Sequence, residues 1–192
     1  FGFITSSRKT TGFDYIRKPQ VILRIIILII VIISASCVNS IWVQPYGICL
    51  FNNDSNSCGF SMTQSVLTAI HCCLFLLIDI LVDNISNLRV RLRFVAFDFA
   101  ASVLLSSLWF VLFCLLCDKW RITHSSLLKE NAACETGPRI VIAFAFFALA
   151  FMCILVFFCY RTLKVVRSTL SQLDESMLSA FARNQSSLSY ID

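Results

Sequence analysis

The chain has 192 residues, enough for one ordinary soluble domain, but 58% of it is hydrophobic and only 14% charged, against about 45–50% and about 25% in soluble domains. Its net charge of +5 does not mark a nucleic-acid binder, because the basic residues sit at the ends of apolar runs and form no stripe alternating with aromatics. With 18 Phe against 5 Gly, the apolar excess is bulky, and the composition is that of an integral membrane protein.

A polar N-terminal tail, residues 1–20, leads into the first of four apolar spans. Crossing a bilayer takes about 20 helical residues, and the spans expected are 21–43, 60–82, 94–117 and 140–160. The first is too long for a signal-peptide core and lacks a small-residue cleavage site. Together the spans predict an all-α fold, a membrane-embedded four-helix bundle occupying residues 21–160. In the C-terminal tail, 161–192, Leu163, Val166, Leu170, Leu173 and Met177 recur at spacings of three and four, which is the pattern of an amphipathic helix. The basic start of that tail, Arg161, Lys164 and Arg167, is suited to anionic lipid.

Orientation follows from the basic residues. The N-terminal tail, the start of the first span, the middle connector and the C-terminal tail carry twelve Lys and Arg, while the other two connectors carry four: Lys119, Arg121, Lys129 and Arg139. That asymmetry places both termini in the cytosol. Of the ten cysteines, Cys37, Cys72, Cys73, Cys114 and Cys153 lie within spans and act as small apolar residues. Cys159 ends the fourth span, where packing and palmitoylation are both open. Cys49 and Cys58 share the first non-cytosolic loop, around Asn52-Asn53-Asp54-Ser55-Asn56. An oxidising lumen and that turn-rich spacing predict a disulfide between them. Cys117 and Cys134 are candidates for a second bridge.

Polar residues inside the spans are costly in lipid and often functional. Arg24 begins the first span, Asp79 closes the second and Asp98 opens the third. All three fall near the cytosolic leaflet, where Arg24 is placed to pair with either carboxylate and pin the helix ends together. A relay for ions or protons needs a second polar layer, and His71 with Ser34, Ser36, Ser106 and Ser107 is what mid-depth offers. His71 is also a candidate sensor of lumenal acidity. No phosphate-binding Gly loop, paired-His metal motif or nucleophile elbow is present. His71-Cys72-Cys73 does not make a metal site, because consecutive helical residues point about 100° apart. The residues therefore indicate no enzyme, no cofactor and no metal.

Several segments together carry a family likeness. Arg17-Lys18-Pro19-Gln20-Val21-Ile22-Leu23-Arg24 resembles the start of the first span of synaptogyrins, four-span vesicle proteins with a MARVEL domain. Cys49-Leu50-Phe51-Asn52, then Asn56 and Cys58, is similar to their first lumenal loop. Asp79 and Asp98 match acidic positions of their second and third spans. Leu108-Trp109-Phe110-Val111 with Phe113-Cys114 and Trp120 resembles the third span, and Ile142-Ala143-Phe144 with Phe146-Phe147 the fourth. The resemblance covers about residues 13–160. It implies a MARVEL-type bundle in small secretory or synaptic-like vesicles and a non-catalytic role in vesicle biogenesis, membrane organisation and regulated exocytosis. Its expected partners are the lipid bilayer, other vesicle membrane proteins and further copies of itself. A channel or transporter subunit, using the intramembrane polar residues, is the alternative.

Overall fold

The computed structural model describes residues 19–43, 48–49, 51, 54–82, 88–122 and 136–188. Lipid offers no water to bond backbone polar groups, so an apolar chain must satisfy them internally. Long runs poor in Gly and Pro do so as helices. The chain forms α1 (Pro19–Ile41), α2 (Ser55–Val82), α3 (Leu88–Ile122) and α4 (Thr136–Leu188), each with a stretch long and apolar enough to cross a membrane. Pro19 opens α1, where its fixed φ suits the first turn and its missing N–H is not needed. Asp54 caps α2, its carboxylate accepting from the Asn56 N–H and the Ser57 hydroxyl, each at 3.1 Å. That satisfies a donor that the helix itself leaves open.

The helices run up, down, up and down. α1 packs against α2 and α4, α3 packs most extensively on α4, and the thinner α2–α3 contact closes the ring. Ile27, Val31, Trp109, Leu112, Leu116, Met152 and Leu155 fill the centre and are fully buried. Large apolar side chains such as Ile29, Phe97, Leu104 and Phe146 point outward and are more than half exposed, the surface a hydrocarbon solvent calls for. Far from the chain ends, α1 and α4 approach closely: a Cβ on Gly137 would lie 2.9 Å from the Ile41 Cγ2 methyl.

The expected all-α membrane bundle is therefore observed, with two additions. A two-residue hairpin follows α1: β1 (Trp42–Val43) pairs antiparallel with β2 (Ile48–Cys49), Trp42 opposite Cys49. The helices also outrun the apolar spans. α3 begins at Leu88, taking in Arg89, Arg91 and Arg93, and α4 is one helix of 53 residues through span and tail. Apolarity marks where lipid begins, whereas a helix stops only where its hydrogen-bond ladder is broken. Nothing in the basic flanks breaks it.

Candidate functional site

At the end of the bundle where the described chain begins, four helices contribute to one buried polar cluster. α1 supplies Arg24 and α3 supplies Asp98. His71, Phe75 and Asp79 come from α2, spaced by four and so stacked on one face. The Arg24 side chain is fully buried. Its Nη1 donates to Asp79 Oδ2 at 2.7 Å and its Nη2 to Asp98 Oδ2 at 2.5 Å. A planar fork of donors spans two carboxylates in a way that the point charge of a lysine does not. Phe75 covers the guanidinium, ring centroid to Cζ 5.1 Å, and the Cys159 thiol of α4 donates to Asp98 Oδ2 at 3.2 Å.

His71 completes the cluster. Its Nε2 lies 3.4 Å from Asp98 Oδ1, its ring packs on Phe75 with centroids 4.8 Å apart, and it is 7% exposed. The structure thus brings together Arg24, Asp79, Asp98 and His71, and adds Phe75 and Cys159.

A second polar feature escaped the sequence reading. Ser57, Ser61, Gln64, Ser65, Thr68 and His71 form a buried seam along α2. Gln64 Nε2 donates to the Leu105 carbonyl at 3.2 Å. The Thr68 hydroxyl donates to the Gln64 carbonyl at 2.8 Å and accepts from the Trp109 indole N–H at 2.9 Å. The signal was available: these positions recur at three and four in the least apolar of the four spans. Of the serines singled out from sequence, Ser34 is buried. Ser36 and Ser107 turn back to the Ile32 and Val103 carbonyls on the exposed side of their own helices, and Ser106 meets the Cys153 sulfur at 3.5 Å.

The opposite end is held by the first loop. Cys49 and Cys58 are disulfide-bonded, with Cα atoms 6.1 Å apart, so the hairpin strand is tied to the first turn of α2. Lys119 of α3 reaches Asp54 at 2.7 Å, and this hydrogen bond chiefly holds the Asp54 carboxyl below its ordinary value of 3.8. Arg139 lies over the Trp120 ring at 5.9 Å. Cys117 carries a free thiol, and Cys134 lies outside the described residues. Cys159 faces inward and is 1% exposed, which turns it away from lipid modification. Cys72 is buried and Cys73 exposed, so the His71-Cys72-Cys73 run diverges. Arg161, Lys164 and Arg167 are exposed on α4 just past the apolar run, Arg161 resting over Phe157 at 5.7 Å.

Comparison with known proteins fits this arrangement of a four-span bundle with a pinned loop. Residues 15–159 match the MARVEL family, described as a membrane-associating domain. The chain belongs to the MARVEL family. Synaptogyrin-2 of Bos taurus is 29% identical over 155 residues, covering 78% of this chain and 68% of the relative. Synaptogyrin-1 of Mus musculus is 28% identical over 144 residues, 71% of this chain and 60% of the relative. Synaptogyrin-1 of Pongo abelii is 30% identical over 141 residues, 70% and 59% respectively. The chain therefore spans about three fifths of the length of those two synaptogyrins-1. The synaptogyrin resemblance read from the residues is upheld. This MARVEL bundle is a multi-pass integral membrane protein.

Proposed function

We propose that this MARVEL protein works without catalysis, in vesicle biogenesis, membrane organisation and regulated exocytosis, with both termini in the cytosol. The observation that carries this reading is where its polar chemistry lies. Arg24 is turned inward and bonded to Asp79 and Asp98, while many large apolar side chains face outward. A protein built this way acts through what packs on its outside: the bilayer, other vesicle membrane proteins and further copies of itself. The arginine cluster pins the cytosolic helix ends and the disulfide pins the lumenal ones, so the surface between them has a fixed shape. Tagged protein should co-fractionate with small vesicles rather than plasma membrane, and its removal should change vesicle number or protein content. Even distribution over all membranes argues against it.

A second reading, a channel or transporter subunit, is favoured by the buried seam along α2, which runs from the disulfide end towards the arginine cluster. Ion or proton flux in liposomes holding the pure protein, lost on Gln64→Leu or Thr68→Val, decides for it. Tight liposomes decide for the organiser.

A further inference from the structure

Between the start of α1, the end of α2, the start of α3 and the middle of α4 lies an open cavity of about 440 Å³, within the ~300–1,000 Å³ range of small-molecule sites. We infer that it holds the headgroup, glycerol and first acyl carbons of one anionic glycerophospholipid from the leaflet on this side of the bundle. The inference goes beyond the proposed trafficking role and is independent of it.

Three features point to that occupant. The first is depth. The cavity sits where α3 and α4 pass from apolar span to basic extension, which is the level of lipid headgroups, and it lies outside the packed centre of the bundle. The second is the division of the wall. Phe75, Phe94, Phe158 and Val165 line it with apolar surface, while the basic side chains of Arg91 and Arg161 also line it. An amphiphile with a charged end and a hydrocarbon end matches such a wall, whereas a free ion leaves the apolar part unused.

The third is charge. The carboxylates lining the cavity, Asp79 and Asp98, are both already held by Arg24. Among the described residues Arg91 and Arg161 form no salt bridge with an acidic side chain. Arg24, Arg91 and Arg161 against Asp79 and Asp98 leave one positive charge in excess. One monoanionic lipid neutralises it; a zwitterionic lipid brings a cation that the arginines repel. Guanidinium groups also suit phosphate oxygens by geometry, since their paired N–H donors match two oxygens at once.

The test uses the full chain in nanodiscs of phosphatidylcholine with graded phosphatidylserine, reading retained lipid by native mass spectrometry. One phosphatidylserine per protein should be retained in preference to phosphatidylcholine. Arg91→Gln with Arg161→Gln should lower that occupancy roughly tenfold or more, as loss of charge-assisted hydrogen bonds implies. Arg89→Gln with Arg93→Gln, exposed and outside the cavity, should stay within about twofold of the unmodified chain. Equal losses in the two pairs would mean a diffuse surface layer and overturn the site. If the cavity pair fails to fold, competition on the unmodified chain decides. Inorganic phosphate or chain-free glycerophosphoserine should displace the lipid poorly, because neither fills the apolar wall. Displacement by either at concentrations similar to lipid, or equal retention of phosphatidylcholine or a sterol, refutes the proposal.

Discussion

Replacing Arg24 by leucine removes the cation that two carboxylates share. Arg24 is fully buried and the Asp98 side chain is 10% exposed, so this arm behaves as a buried pair, whose breakage costs about 3–5 kcal/mol. The Asp79 side chain is 28% exposed, and water screens that arm to about 1 kcal/mol. The expected loss is then about 4–6 kcal/mol, a large share of the ~5–15 kcal/mol that holds a typical domain together. Much of it reflects uncompensated negative charge rather than missing contact. Neutralising Asp98 in the same chain should therefore restore about 2 kcal/mol, and neutralising Asp79 less. The assay is an unfolding midpoint in nanodiscs for the unmodified chain, Arg24→Leu, Asp98→Asn and the double variant, repeated with Asp79→Asn. Losses that add to within about 0.5 kcal/mol would refute the reasoning, because independent sites add and coupled ones do not.

Other outcomes follow from the opposite end. Cys49→Ser and Cys58→Ser should each cost on the order of 2–3 kcal/mol, the chain-entropy value for a loop of about ten residues. The double variant should be no worse, and thiol labelling of both residues in the unmodified protein would refute the bond. Asp54 has a carboxyl held below 3.8 by Lys119, so its tether is fully present above that pH and is lost as pH falls through the lower folded value. The difference in thermal midpoint between the unmodified chain and Lys119→Met should stay constant above pH 3.8 and shrink below it. Gly137→Ala places a methyl 2.9 Å from Ile41 Cγ2 and should cost about 1–3 kcal/mol through overpacking. In an Ile41→Ala background the same change should cost nothing further, as paired midpoints will show.

The legible parts of this molecule were those whose physics is local. A span reads directly from an apolar run, and Arg24, Asp79 and Asp98 stand out because charge inside such runs is rare. Their meeting was anticipated because all three fall at one depth. The place of His71 was not, since a helix's rotation about its own axis is set by its neighbours and not by its hydropathy. The spacing of His71, Phe75 and Asp79 by four held that information, as did the run of Ser57, Ser61, Gln64, Ser65 and Thr68 along the same helix. Reading His71 as a mid-depth residue among serines overlooked both. The hairpin was missed for a different reason: two paired residues per strand fall below any periodicity, although Pro45-Tyr46-Gly47 between Val43 and Ile48 is a turn signal. The extension of α3 and α4 past their spans was hidden because charged helix and charged loop have the same composition.

That extension makes α4 a lever. From Arg139 to Leu188 the helix contains no Gly or Pro, so it has no built-in hinge. Its 53 residues make a rod about 80 Å long at ~1.5 Å per residue, against a hydrocarbon layer of about 30 Å. The part beyond Tyr160 is then about 40 Å long, and a tilt of about 5° inside the membrane sweeps its far end through roughly 4 Å. Arg89 of α3 lies 3.9 Å from Asp174, part-way along this arm. A change of bilayer thickness or curvature, felt as tilt by the buried half of α4, is thereby converted into displacement well clear of the lipid, where a soluble partner can feel it.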